Sequence, residues 1–202
     1  IATEVGNTSK IGGEINAADS CFDIYRKRIT DISIALQNTE TVLDKDELQK
    51  AATLIMNAGR IVIFGLGNSA AIAQDASHKF LRLGLYAQSC TDNHMQAIIA
   101  SHLNRKSVAV GISHSGASAD IVDALKLSKI GGASTVCVTN FGDSPIIKVS
   151  DVVLFTKSEE TKHSILAMSS RIAQLAIFDA IYTYIAVNCD KSSRQAIENT
   201  EF

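Results

Sequence analysis

From Arg60 onward the chain alternates between short β-rich apolar runs and longer stretches with helical spacing, and no other feature narrows its fold as much. The runs are 61–64 (IVIF), 85–89 (LYAQS), 107–112 (SVAVGI), 135–139 (TVCVT) and 152–156 (VVLFT). Between them, 70–83 carries Ile72, Ala73, Ala76, Phe80 and Leu83 on one helical face and ends at Gly84. A second helix is expected over 94–103, with Met95, Ile98 and Ile99 inward, and a third over 118–130, closed by Gly131 and Gly132. The segment around Pro145 reads as a loop, and 161–187 as a long helix with the stripe Ile165, Met168, Ile172, Leu175 and Phe178. Strands alternating with helices pair in parallel, because a right-handed crossover joins each successive pair. The expected fold is therefore α/β: a three-layer sandwich around a five-stranded parallel sheet, order 2-1-3-4-5, flavodoxin-like, with added N-terminal helices.

Residues 1–13 are polar and glycine-containing, as in a linker. A helix is expected over 19–37, with Phe22, Tyr25, Ile29, Ile32 and Leu36 spaced by three or four. A second over 44–57 carries Leu48, Ala51, Ala52 and Ile55, with Asp44 as N-cap, Glu47 three residues on and Gly59 beyond its end. Both precede the sheet, so they either cover it or reach a partner subunit. The expected division is a linker and helix over 1–42, a ligand-binding domain over 43–190 and a tail over 191–202. A first residue that is not Met suggests a processed product or a piece of something longer.

Composition removes several functions. Lys and Arg number 19 against 21 Asp and Glu, a net charge of -2, so the basic excess of a free-standing nucleic-acid binder is missing. No apolar run reaches the ~18–20 residues of a membrane span. Cys21, Cys90, Cys137 and Cys189 are far apart, which disfavours a disulfide framework or a zinc site and suggests a reducing, cytoplasmic setting. The five histidines show no ligand spacing, so no metal and no cofactor are expected.

Two strand-to-helix turns carry the chemistry. Gly65-Leu66-Gly67-Asn68-Ser69 follows the first strand, and Ser113-His114-Ser115-Gly116-Ala117-Ser118 follows the third. Glycines allow tight turning, and the helices that follow present free N–H groups that favour an anion. Hydroxyls beside backbone amides cradle phosphate without a lysine. In the order 2-1-3-4-5 both turns sit at the switch point, where crossovers diverge and a crevice opens. Gly65, Gly67 and Ala70 also fit a dinucleotide fingerprint, with Asp92 about where a ribose-binding acid belongs. Against that, the chain lacks room for a second mononucleotide half, and the serine-rich turn has no role in the scheme. Glu159 and Glu160 are either dipole-favouring acids at a helix start or a carboxylate for sugar hydroxyls. Arg171 and Asp179 read as surface or interface residues, Lys79 and Arg82 as a solvated helix face.

Three stretches, IVIFGLGNSAAIAQDASHKFLRLGL (61–85), GISHSGASADIVDALKLSKIGGASTVCVTN (111–140) and SEETKHSILAMSSRIAQLAIFDAIY (158–182), resemble the sugar isomerase (SIS) domain. Within it, Ser169-Ser170-Arg171-Ile172-Ala173-Gln174-Leu175, with Asp179 after it, resembles the effector-binding half of RpiR/MurR-type transcription regulators. The resemblance implies a phosphosugar ligand, with its phosphate on Ser113, Ser115 and Ser118, its sugar facing Ser69, and Glu160 as the acid after strand five. The expected ligand-binding set is Gly67, Asn68, Ser69, Ser113, His114, Ser115, Gly116, Ser118 and Glu160, with no catalytic residue. The family's full-length members carry an N-terminal helix-turn-helix domain not found in this sequence, so DNA contacts are expected only through such a domain. The expected partners are a sugar phosphate effector and further copies of the chain, a dimer or higher, with no membrane. The other reading is a single-domain aldose–ketose isomerase, with Glu160 and His114 as candidate acid and base.

Overall fold

The computed structural model describes residues 15–158 and 168–188. Their elements are α1 (Cys21–Val42), α2 (Lys45–Met56), β1 (Arg60–Gly65), α3 (Asn68–Arg82), β2 (Ala87–Cys90), α4 (Asn93–Ser101), β3 (Ser107–Ile112), α5 (Ala119–Ile130), β4 (Ser134–Asn140), α6 (Pro145–Lys148), β5 (Val152–Thr156) and α7 (Met168–Asn188). The strands form one all-parallel sheet in the order β2-β1-β3-β4-β5, as the alternating pattern predicts.

Side-chain alternation along the strands divides the core in two. Ile61, Ile63, Val110, Ile112, Val138 and Leu154 cluster with α2, α3 and α7, while Val62, Phe64, Ala109 and Cys137 cluster with α4, α5 and α6. Phe80 of α3 meets Phe178 of α7 edge to face, ring centroids 6.4 Å apart. Both are fully buried, each burial contributing about 1.5–3 kcal/mol. Burial also raises the Cys137 thiol to about 11, leaving it a small hydrophobe in β4.

The N-terminal helices close an edge of the sheet. On β5 the Val153 N–H donates to the Glu47 carboxylate at 3.0 Å, and just beyond it the Lys157 N–H donates to the Thr39 hydroxyl at 3.0 Å. Lys50 donates to the Asp151 carbonyl at 2.9 Å. Amides that would otherwise invite another strand are thereby satisfied.

Three expectations need correction, and α1 turns inward a strip that its spacing did not single out. The segment at Pro145 contains the helical turn α6, signalled by proline at its first position after Ser144, and it buries Ile146. On α4, Met95 and Ile98 face solvent and Gln96 and Ala100 turn inward, because α5 meets the other side of the helix. On α1, Phe22, Tyr25, Ile29 and Leu36 are exposed, while Ala35 and Thr39 are buried. Lys79 is not merely solvated: it pairs with Asp179 at 2.7 Å and Asp75 at 3.6 Å, tying α3 to α7. Ile165 and Cys189 lie outside the described residues.

Candidate functional site

β1 and β3 are neighbours in the sheet, and the helices that follow them cover opposite faces: α3 joins the cluster of α2 and α7, α5 that of α4 and α6. The crevice at their C-terminal ends receives both polar turns. Both helices begin there without a side-chain cap. Three other helices are closed locally: Ser20 caps α1, Asp44 caps α2 and Asp92 caps α4, each through its own side chain, while the short α6 also starts without a side-chain cap at Ser144.

In the first turn Gly67 stands at the N-cap of α3 with φ 54°, a left-handed conformation that favours glycine, and a side chain there would meet open space. Asn68 and Ser69 follow in the first turn of α3, Asn68 exposed and Ser69 half-buried. The Ser69 N–H is already spent on the Leu66 carbonyl at 3.0 Å, so its hydroxyl is the group left for a ligand.

The second turn is held from behind. The Ser113 N–H donates to the Val138 carbonyl at 3.1 Å, and the Gly116 N–H donates to the Ser113 carbonyl at 3.1 Å. The His114 carbonyl accepts from the Asn140 N–H at 3.0 Å and from the Thr139 hydroxyl at 3.4 Å. The Gly116 carbonyl accepts from the Ile146 N–H at 3.0 Å, so the unforeseen α6 supports the turn. Gly116 has φ 63°, and a side chain there would overlap the Ser144 hydroxyl and come within 2.8 Å of Thr139 Oγ1. With its carbonyls anchored inward, the turn leaves its donors at the crevice. Ser118 is the N-cap of α5, yet its hydroxyl makes no cap bond, and the amides of Ala119 and Asp120 find no acceptor among the described residues. Ser115 is exposed, and among the described residues its hydroxyl accepts only a 3.3 Å bond from the Ala117 N–H. Ser113 is buried and His114 half-buried at the same turn.

The structure thus brings Gly67, Asn68, Ser69, Ser113, His114, Ser115, Gly116 and Ser118 to the C-terminal ends of two neighbouring strands. Glu159 and Glu160 lie outside the described residues. Asp92, offered above as a ribose acid, accepts from the Met95 N–H at 2.9 Å and is committed to capping α4. Sequence reasoning missed Thr139, Asn140 and Ile146 as supports, because they come from the end of β4 and from α6; only Ser144 ahead of Pro145 carried a local signal. Ser144 and Ser158 also hold buried hydroxyls without a partner among the described residues at this end of the sheet.

The SIS domain family matches residues 54–184. An uncharacterized HTH-type transcriptional regulator of Caldanaerobacter subterraneus is 36% identical over 193 residues, 96% of this chain and 68% of that protein. The HTH-type transcriptional regulator RpiR of Escherichia coli is 32% identical over 164 residues, 81% of this chain and 55% of that protein. The chain therefore spans about two thirds or less of the relatives it matches. Among solved structures, the Vibrio vulnificus NanR protein complexed with ManNAc-6P superposes with TM-score 0.82 at 21% identity, over 88% of this chain and 68% of that one. Phosphoheptose isomerase GmhA from Neisseria gonorrhoeae superposes with TM-score 0.71 at 21% identity, over 83% of this chain and all of that one. These two likenesses concern the fold.

Proposed function

The chain belongs to the SIS domain family, and on that premise we propose that it is the phosphosugar-sensing part of an RpiR-type transcription regulator. The observation that carries this reading is the pair of uncapped helix starts at one crevice. The start of α5 offers the hydroxyls of Ser113, Ser115 and Ser118 and the unpartnered amides of Ala119 and Asp120. That donor set, on the positive end of a helix, suits a phosphate dianion. Gly67, Asn68 and Ser69 across the crevice, with Glu160, hold the sugar, and His114 lines the phosphate turn.

The phosphate supplies most of the affinity in this reading. Hydrogen bonds to a charged acceptor contribute about 1.5–3 kcal/mol each, so three of them separate a sugar phosphate from its free sugar by about a thousandfold or more. The chain acts as a homo-oligomer in the cytoplasm, its DNA contacts made by a separate helix-turn-helix domain, and it turns over no substrate. Among the described residues no helix is long and apolar enough to cross a membrane.

Calorimetry with hexose, pentose and N-acetylhexosamine phosphates, each beside its unphosphorylated sugar, tests the proposal. Tight binding of one phosphate and weak binding of its free sugar is the expected result, and equal affinity for the two would overturn it. An aldose–ketose assay with the same phosphates should show no turnover. Turnover abolished by Glu160→Gln would instead make the protein an isomerase.

A further inference from the structure

We infer that the chain carries a second anion site, for a phosphate group, at the end of the sheet opposite the crevice. β1 and β3 begin there side by side, Arg60 paired with Ser107, and an open cavity of about 220 Å³ lies against them. Gly59 and Arg60 line it from the connection into β1, and His102, Asn104, Lys106 and Ser107 from the connection into β3. No carboxylate lines it, and Arg60 and Lys106 form no ion pair among the described residues. In a chain of net charge -2, two uncompensated cations on one small cavity make a local field that attracts negative charge. The cavity is smaller than the pocket of a whole drug-sized ligand and suits a single anionic group.

The donors there are held in place and left open. The Arg60 guanidinium donates from Nη2 to Gln88 Oε1 at 3.3 Å and lies 6.0 Å from the centre of the Tyr86 ring, while its Nε is buried without a partner among the described residues. A buried guanidinium N–H without an acceptor is costly, and an oxyanion relieves that cost with a charge-assisted bond. Ser107, 3% exposed, accepts from the Asn104 N–H at 3.3 Å, and Asn104 Oδ1 accepts from the Lys106 N–H at 2.9 Å. These bonds use oxygen lone pairs and leave the Ser107 O–H and the Asn104 amide N–H groups to donate. The cations are not spent on the nearby end of α4, whose last carbonyls are already met. That of Ile98 accepts from His102 Nδ1 at 2.9 Å and from the Ser101 hydroxyl at 2.8 Å, that of Ile99 from the His102 N–H at 3.1 Å and that of Ala100 from the Leu103 N–H at 3.2 Å. Donors reaching one cavity from two connections suit the tetrahedrally arranged oxygens of phosphate better than the flat edge of a carboxylate. The inference stands apart from the phosphosugar reading, since none of these residues lies at the crevice.

Amide NMR of the isotopically labelled full chain, titrated with inorganic phosphate at constant ionic strength, tests it. Saturable shifts are expected in residues 59–60 and 102–107, with a dissociation constant of about a millimolar or below, and chloride over the same range should produce none. Arg60→Gln should raise that constant about tenfold or more and leave the shifts in residues 115–120, at the crevice, as they were. Ser118→Ala should do the reverse. Lys106→Gln, at an exposed position, should also weaken binding at residues 59–60 and 102–107, and it keeps the test decisive if Arg60→Gln fails to fold. A hexose phosphate that binds there as inorganic phosphate does would place recognition in the phosphate group alone; tighter binding would extend it to the ester. No saturable shift in 59–60 and 102–107, shifts that chloride equals, or shifts that survive both variants would each overturn the site. Silence at 115–120 beside binding at 59–60 would count against the phosphosugar reading and leave this site standing.

Discussion

At the start of α2 the Asp44 carboxylate accepts from the amides of Asp46 at 2.8 Å and Glu47 at 3.0 Å. At the start of α5 the Ser118 hydroxyl accepts from none. Both helices run for 12 residues, and both follow an N-cap residue in extended conformation with a side-chain oxygen able to cap. The first spends that oxygen on its own amides and places Glu47, in its first turn, on β5. The second is braced from behind by β4 and α6, and its donors stay open. A helix end closed by its own side chain belongs to the fold; one held open by distant backbone is available to a ligand, at some cost in stability.

The contrast breaks most completely at Gly116. Alanine there would take a left-handed conformation costing about 1–2 kcal/mol, and would also press on Ser144 and Thr139. Gly116→Ala should abolish detectable sugar-phosphate binding and lower the melting temperature, as calorimetry and thermal unfolding would show. Unchanged binding would mean that the turn is not where the phosphate lies.

Removing a hydroxyl from the open end should separate the two properties. Ser115→Ala and Ser118→Ala should each weaken phosphosugar binding by about ten- to a hundredfold with the melting temperature nearly unchanged, because the Ser118 hydroxyl caps no amide and the Ser115 hydroxyl accepts one exposed 3.3 Å bond, against the two shorter bonds that Asp44 accepts. Unaltered affinity in both variants would move the site elsewhere. The closed end should show the reverse. Asp44→Ala leaves two amides without their cap and should lower the melting temperature by a few degrees while the affinity stays as it was. A loss of affinity there would mean that the two ends are coupled.

The smallest effect separates the ends by pH. The amides of Glu47 and then Asp46 hold the Asp44 carboxyl below its ordinary value of 3.8. A group whose folded pKa is lowered contributes stability that is complete above the unfolded value and is lost as pH falls through the folded one. Burial pushes the Asp151 carboxyl up, but bonds from Lys129 and Thr135 outweigh it and hold that group low as well, so it adds to the same window. Thermal unfolding followed downward from pH 4 should therefore show a decline, and Asp44→Asn, which caps without titrating, should make it shallower. An identical decline in the variant would show that Asp44 contributes none of it.

Much of this site was legible in the sequence because its parts are local. A glycine turn between an apolar run and a helical stretch, and a second turn rich in serine, are patterns a few residues long. Strand order then puts them together, since β1 and β3 are neighbours and their crossovers diverge. The bracing of the second turn was not legible. Thr139 and Asn140 are the end of β4, and nothing near them in the chain says that they will meet the carbonyl of His114.

The faces of the helices show the same division. Periodicity determined that Phe22, Tyr25, Ile29 and Leu36 share one side of α1, and that Met95 and Ile98 lie close together on α4. It could not say which way those sides look, because spacing defines a face relative to its own helix axis and not relative to the sheet. Only tertiary structure decided that α1 turns Ala35 and Thr39 inward, that Glu47 and Thr39 satisfy amides on and just beyond β5, and that Lys79 finds Asp179. These contacts join positions some 100 residues apart. The order and type of the elements were set by short-range stereochemistry and hydrophobic spacing, which any stretch of sequence carries within itself. The orientation of their faces, and the support beneath the open helix end, arose only when distant segments competed for the same buried volume.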